Sequence, residues 1–139
     1  MVAEVTSWIL EREGVWIIPL EGHRVSRCVL DFGFTLFLEG PSESAVRIEG
    51  EFLLGEGPVQ HMLSAGRPAE LGPALALHRA SVETAEAEQV GRLRIVFRGG
   101  RTLIVHPSPR YESWELTGPL GARIVSSPDG GLAIWRPLT

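Results

Sequence analysis

The stretch from Leu93 to His106 constrains the fold of this chain more than any other. It places two runs of alternating apolar and polar residues on either side of Gly99-Gly100. Adjacent glycines supply the positive φ angles of a type I′ turn, so the pattern predicts a β-hairpin. A two-residue loop would set Phe97 opposite Thr102 and Leu93 opposite His106, and would give one face an apolar surface.

Short apolar runs separated by Gly and Pro continue along most of the chain, a pattern typical of strands. In the first half they predict strands near residues 15–20, 25–30, 32–38 and 45–54. Period-two spacing in the third run assigns one face to the core, made of Phe32, Phe34, Leu36 and Leu38. Toward the C-terminus, the turn residues at 127–131 predict a hairpin of strands near 122–126 and 132–136.

Helical patterns are confined to two short stretches. Residues 2–9 carry apolar side chains at helical spacing ahead of Gly14, a pattern compatible with a short N-terminal helix. The Gly- and Pro-rich stretch 55–73 predicts a connection without regular structure. Within 69–79, a short helix is expected to begin at Pro73.

These elements predict a single mainly β domain over 1–139, a β-rich α+β fold. We divide it into an N-terminal segment, a first meander, a connection with one short helix, and a second meander with the C-terminal hairpin, at 1–14, 15–54, 55–80 and 81–139. The two antiparallel meanders are expected to pack as a sandwich or partly closed barrel. A chain of this length buries about two-thirds of its unfolded surface, enough for a real core.

Composition narrows the classes of partner. The net charge of −4 argues against a nucleic-acid surface, which needs clustered cations in excess. No stretch approaches the roughly 20 consecutive apolar residues of a membrane span, and the N-terminus lacks the features of a signal peptide. We therefore expect a cytoplasmic protein. The single cysteine, Cys28, lies in a strand-like run and is expected to fill core space rather than react.

The chain contains no motif for a metal, a cofactor or a catalytic nucleophile. Its histidines, at 23, 61, 78 and 106, show no ligand spacing, and no cysteine pair accompanies them. Neither a Gly-x-Ser-x-Gly elbow nor a cysteine with a nearby histidine is present. We accordingly assign no catalytic residue, no metal ligand and no cofactor from the sequence.

The richest collection of functional side chains lies between His106 and Glu115. Its candidate interaction residues are His106, Arg110, Tyr111, Glu112 and Trp114. If the segment is a strand, Trp114 and Leu116 share the inward face, whereas Tyr111 lies on the wetter one. Glu112 and Glu115 would then face apart, which argues against a neighbouring acid and base pair.

The same segment carries a resemblance to an uncharacterised family of small bacterial domains, frequent in GC-rich actinobacteria. The resemblance spans roughly 20–136 and rests on 75–77, 91–97, the Pro-Arg-Tyr-Glu-Ser-Trp-Glu run of 109–115, and 130–135. The sequence departs from the family's pattern at Asp129 and at Arg98-Gly99. The resemblance implies no established reaction. It implies a small partner-binding protein, a class that includes immunity proteins against bacterial toxins.

Three functions remain open at this point. We expect first a non-enzymatic binding module for a protein partner, or a homo-oligomer, because aromatic and Arg side chains suit interface anchors. The alternative is a small hydrolase or isomerase that uses His106, Tyr111 and Glu112 at a sheet-end pocket. A carrier of apolar ligands is the third, but it needs a hollow interior that the large Phe and Leu side chains would fill.

Overall fold

The predicted sandwich of two antiparallel sheets is confirmed by a computed structural model, which describes residues 8–138. The described strands, in chain order, are β1 (Leu10–Arg12), β2 (Val15–Ile17), β3 (Arg24–Leu30), β4 (Phe34–Glu39), β5 (Ser44–Ile48), β6 (Glu51–Glu56), β7 (Val59–Ser64), β8 (Val82–Glu88), β9 (Leu93–Phe97), β10 (Thr102–Val105), β11 (Trp114–Thr117), β12 (Arg123–Ser126) and β13 (Leu132–Trp135). They form two open sheets and no closed barrel.

Each sheet combines strands from both halves of the chain. The seven-stranded sheet has the order β1-β2-β8-β9-β10-β6-β7, and the six-stranded sheet has the order β13-β12-β11-β5-β4-β3. The two halves meet at β10 with β6 and at β11 with β5. The chain passes from one sheet to the other at Glu49-Gly50, so the run predicted as one strand at 45–54 is two strands in different layers.

The central hairpin is confirmed, but its predicted register is wrong by one residue. Thr102 pairs with Val96 rather than Phe97, and Val105 rather than His106 pairs with Leu93. The loop therefore holds three residues, with Gly99 and Gly100 both at positive φ. Because side chains alternate, a shift of one residue changes which side chains share a face. Leu103 and Val105 are consequently buried. The predicted two-residue loop would have put Ile104 and His106 on that face instead.

The connection between the halves holds more strand and less helix than expected. Residues 59–64, predicted to be irregular, form β7 and pair with β6 along its whole length. Helix is limited to a 3₁₀ turn at Pro68–Glu70 and one α-helical turn, α1, at Gly72–Leu75. The single short helix expected between the halves is present as this turn.

The proposed N-terminal helix lies partly outside the described residues. Within them it is wrong, because Leu10–Arg12 is a strand paired with Val15–Ile17. Glu13 and Gly14 both have positive φ, so Gly14 closes a hairpin rather than a helix.

The space between the sheets is filled by large side chains. Phe34 of the six-stranded sheet stacks on Phe52 of the seven-stranded sheet, with ring centroids 5.6 Å apart. Trp114 and Phe97 are likewise fully buried. The apolar carrier, which requires a hollow interior, therefore gains no support from the core. Among the described residues, no helix is long and apolar enough to cross a membrane.

Candidate functional site

Trp114 is the first residue of β11 and a structural anchor of the core. Its side chain is fully buried, as predicted, and its Nε1 donates a hydrogen bond of 2.8 Å to the carbonyl of Gly91. The Ser126 hydroxyl donates to the same carbonyl at 3.1 Å. An indole needs a partner for its N–H when it is buried, and the bend at Gly91 supplies one.

Tyr111 lies on the exposed side of the same segment, also as predicted. Residues 106–113 form no regular strand, and Tyr111 is 43% exposed. Its ring reaches the crossing between the sheets at Gly50. A Cβ added at Gly50 would lie 2.0 Å from the Tyr111 hydroxyl oxygen, so only glycine leaves room for the ring.

Beside Tyr111 lies an open concavity of about 450 Å³, which we call the acidic concavity. It is lined by Glu49, Tyr111, Glu112, Trp114 and Glu115. Strand alternation had placed Glu112 and Glu115 on opposite faces. They line one concavity because regular strand begins only at Trp114, so the alternation does not extend back to Glu112.

Arginines hold two of these carboxylates. Arg47 donates to Glu49 at 2.5 Å, and Arg123 donates to Glu115 at 2.5 Å. The bond to Glu115 is the main reason that the pKa of Arg123 is raised, and the charge of Glu112 contributes further. Similarly, the bond to Glu49 raises the pKa of Arg47. The concavity is therefore an ordered charge array with a surplus of carboxylates.

Arg47 also ties this array to the tip of the β3–β4 hairpin. Its Nη1 donates to the Asp31 carboxylate at 3.0 Å, and the same oxygen accepts the Gly33 amide at 2.9 Å. The Asp31 amide donates back to the Gly33 carbonyl at 3.0 Å. The Gly33 amide first, and Arg47 second, lower the pKa of the Asp31 carboxyl below its ordinary value.

Phe32 stands at this tip with 96% of its surface exposed. Its predicted place in the core is therefore wrong, although Phe34, Leu36 and Leu38 are buried as expected. The strand starts at Phe34, and Phe32 belongs to the turn. The signal was present in the sequence: Asp-x-Gly is a turn pattern in which the Asp side chain bonds the backbone two residues on.

The Phe32 tip and the acidic concavity occupy the same end of the six-stranded sheet. Ile48 lies between the two, paired with Phe34 on one side and with Trp114 on the other. The next residue, Glu49, lines the concavity, and its amide donates to the Ser113 carbonyl at 2.9 Å. Adjacent strand ends thus bring Phe32, Tyr111 and Glu112 to one end of the domain.

The other predicted site residues are distributed less compactly. His106 lines a smaller cavity of about 180 Å³ together with Tyr111 and Met62, whereas Glu112 lines the acidic concavity. Arg110 is exposed and lines neither. Within residues 8–138, His106, Tyr111 and Glu112 make no hydrogen bond with one another. The geometry therefore offers no hydrogen-bonded acid and base set to the enzymatic alternative.

No part of the described chain gathers three or more His, Cys, Asp or Glu side chains in a way that could hold a metal ion. Cys28 is half-buried, and this burial raises the pKa of its thiol. A raised pKa keeps the thiol protonated and a poor nucleophile.

The fold and the site together define a small antiparallel β-sandwich that presents aromatic residues and carboxylates at one end. Residues 16–136 match the DUF6188 family, a family of unknown function, and the chain belongs to it. The resemblance to an uncharacterised family is thereby confirmed. No curated protein and no solved structure matches the chain.

Proposed function

We propose that this protein is a non-enzymatic binding module whose protein partner docks on the end formed by the Phe32 tip and the acidic concavity. One observation carries the proposal: Phe32 is 96% exposed on a turn that is tied by hydrogen bonds to the array beside Tyr111. A phenylalanine held in water contributes nothing to the stability of the fold. It gains about 1.5–3 kcal/mol when it is buried by a partner.

The tip is built to present its aromatic residue in a fixed position. Three hydrogen bonds at Asp31 join the turn to itself and to β5 through Arg47. An ordered anchor loses little conformational entropy on binding, so more of its burial energy appears as affinity. Tyr111, seated on Gly50, offers a second aromatic anchor, and tyrosine is enriched among the residues that dominate interface energetics.

The charges indicate the chemistry of the partner. The acidic concavity carries three glutamates, and the arginines described above bind Glu49 and Glu115. Glu112 is exposed at the rim. Together with the net charge of −4, this favours a partner that sets an Arg or Lys side chain beside an apolar socket for Phe32. Rim charges of this kind steer association and discriminate among partners.

The proposal includes a bacterial, cytoplasmic setting and, in its most specific form, an immunity-type role. That form requires the partner to be a toxic protein whose effect is blocked when the two are co-expressed. In this proposal, the aromatic anchors and the carboxylates act by contact alone.

The test compares partner capture by four immobilised proteins: wild type, Phe32→Ala, Tyr111→Ala and the control Val90→Ala. Val90 is 65% exposed and lines a different surface, near Pro107 and Asp129. A partner retained by wild type and by the control should then be purified for affinity measurement. We expect Phe32→Ala to weaken binding by about thirtyfold, equivalent to about 2 kcal/mol. Equal retention by all four proteins would refute the proposed surface.

A charge reversal distinguishes the contribution of charge to the association rate from the contribution of the aromatic anchors to the dissociation rate. Glu112→Lys should lower the association rate and reduce its dependence on salt, because the change removes a rim carboxylate. The dissociation rate should change much less. An unchanged association rate would contradict the cationic character assigned to the partner.

A further inference from the structure

The smaller cavity, of about 180 Å³, lies where the chain leaves the seven-stranded sheet. Ile104 of β10 pairs with Leu53 of β6, so the chain beyond β10 brings His106 beside the start of β6. Residues 106–113 then cross to the six-stranded sheet, where Trp114 begins β11. This crossing segment and the β6–β7 hairpin line the cavity, which therefore lies at the end of the sandwich.

One part of the cavity wall is apolar. β6 and β7 contribute Phe52, Leu53 and Met62, and the crossing segment contributes Pro107. Phe52 is buried and stacks on Phe34, whereas the Met62 side chain is 48% exposed. A thioether adapts to the shape of its neighbours, and its sulfur makes favourable contacts with aromatic rings. This part of the wall favours a guest with an aromatic body.

The other part of the wall carries hydrogen-bonding groups, from Ser113, His106 and Tyr111. Ser113 is 3% exposed, and its hydroxyl oxygen is buried with no hydrogen-bond partner among residues 8–138. A buried hydroxyl without a partner is unfavourable, and native structures rarely leave one. The side chains of His106 and Tyr111 also make no hydrogen bond with the described part of the chain. Three groups at one cavity are thus available to a guest.

The remaining polar side chains of the wall are already engaged. The carboxylate of Glu51 is paired with Arg67 at 3.3 Å. The Ser108 hydroxyl accepts the amide of Arg110 at 3.2 Å. The groups that stay available are two hydroxyls and an imidazole, which both donate and accept hydrogen bonds. They favour an uncharged guest over an ion.

The volume of the cavity limits the guest to one ring. A cavity of roughly 150 Å³ holds benzene, so one of about 180 Å³ has room for a six-membered ring with small substituents. Drug-sized ligands occupy pockets of about 300 Å³ or more.

We propose that the smaller cavity binds an uncharged phenol-type ring, whose hydroxyl group forms a hydrogen bond with the Ser113 hydroxyl. The ring packs against Leu53 and Met62. A sugar of similar size would bury several hydroxyl groups against the apolar wall, which offers them no partner. The site does not rest on the proposed protein partner, because a small ring can bind without it.

The test is titration with p-cresol, the analogue of a tyrosine side chain, and with toluene, which lacks only the hydroxyl group. Binding is followed through the backbone amide chemical shifts. In wild type, p-cresol should shift the amides of Leu53, Met62 and Ser113 with a Kd below about 1 mM. Ser113→Ala should weaken the binding of p-cresol by about fivefold and leave that of toluene unchanged, since only p-cresol loses a hydrogen bond.

Ser126→Ala is the matched control. Ser126 is also a buried serine, but it lies outside the cavity and its hydroxyl donates to the Gly91 carbonyl. This variant should bind p-cresol as wild type does, and its Tm should fall because a hydrogen bond is lost. The Tm of Ser113→Ala should not fall, because its hydroxyl has no partner within the fold to lose.

A free phenol and the tyrosine side chain of a bound protein share the proposed chemistry, and N-acetyl-tyrosine amide separates them. A cavity that takes side chains should bind this compound about as tightly as p-cresol, whereas a cavity for a free molecule should reject its backbone. The proposal is overturned if the cavity amides do not shift at about 5 mM p-cresol. It is also overturned if Ser113→Ala changes the affinities for p-cresol and toluene equally, or lowers Tm as Ser126→Ala does.

Discussion

Trp114 and Tyr111 lie three residues apart, yet they serve the molecule in opposite ways. Trp114 is the first residue of β11, fully buried, with its N–H bonded to the Gly91 carbonyl. Tyr111 lies in irregular backbone, 43% exposed, on a glycine that leaves room for its ring. Trp114 is enclosed by the core, whereas the Tyr111 ring lies at the surface against Gly50.

The comparison shows that position relative to the start of a strand decides the role of an aromatic residue. Phe34 and Phe32 repeat it at the other side of the site, where Phe34 starts β4 and is buried and Phe32 precedes it and is exposed. The turn that carries Phe32 is held by the hydrogen bonds of Asp31, and the Tyr111 ring lies against Gly50. Display of this kind is what we expect of binding anchors rather than of chance surface residues.

Replacement of Trp114 by alanine should give the largest effect. The change removes a fully buried indole and should lower the free energy of unfolding by about 3–5 kcal/mol. Urea denaturation measures the loss. The control is Trp135→Ala. Trp135 is 49% exposed, and the Arg123 guanidinium lies over its ring. Equal losses for the two would contradict the assignment of Trp114 to the core.

Replacement of Tyr111 by alanine should cost about 1 kcal/mol, because only part of its ring is shielded from water. The same urea titration gives the value. A loss as large as that of Trp114→Ala would mean that both rings are structural, and the difference between the two residues would disappear.

Gly50→Ala should displace Tyr111 with little loss of stability. The backbone of Gly50 lies outside the left-handed region, so alanine meets no strain there, and the clash falls on the end of a movable side chain. The chemical shifts of the Tyr111 ring should change markedly, while unfolding shifts by less than about 1 kcal/mol. Unaltered chemical shifts of the ring would show that Tyr111 does not pack against Gly50.

Asp31→Asn should lower the stability at neutral pH, and this loss should disappear in acid. A carboxyl whose pKa is lowered by folding stabilises the native state above its unfolded pKa, and that contribution is lost as pH falls through the folded pKa. The difference in stability between wild type and variant should therefore shrink on acidification below the ordinary carboxyl range. A difference that is constant between pH 7 and pH 2 would contradict the assigned role of the charge.

Much of the sandwich could be predicted because its signals are local. Gly99-Gly100 and the turn at 127–131 predicted both hairpins, and period-two spacing placed Phe34 and Trp114 inward. The register of the central hairpin could not be obtained in this way. A loop of two residues and a loop of three use the same glycines, and packing against β6 and β8 selects between them.

The candidate site was only partly predictable. The sequence identified Tyr111 and Glu112, but it separated Glu112 from Glu115 by treating irregular backbone as strand. Glu49 joins them from a distant part of the chain, through the crossing at Gly50, and no local pattern encodes that meeting. Phe32 was assigned to the core by an alternation that the Asp31 turn interrupts.

The most direct test of this account is the unfolding free energy of the double variant Phe32→Ala/Tyr111→Ala, measured by urea titration beside wild type. The two residues lie on separate segments and share no contact, so their effects should add, and we expect a total loss in the free energy of unfolding below about 1.5 kcal/mol with an unchanged urea slope. The variant would then be a folded protein stripped of its proposed anchors. A loss of about 3–5 kcal/mol, the size expected for removal of a core aromatic residue, would show that these rings hold the fold together and would contradict their role as displayed anchors.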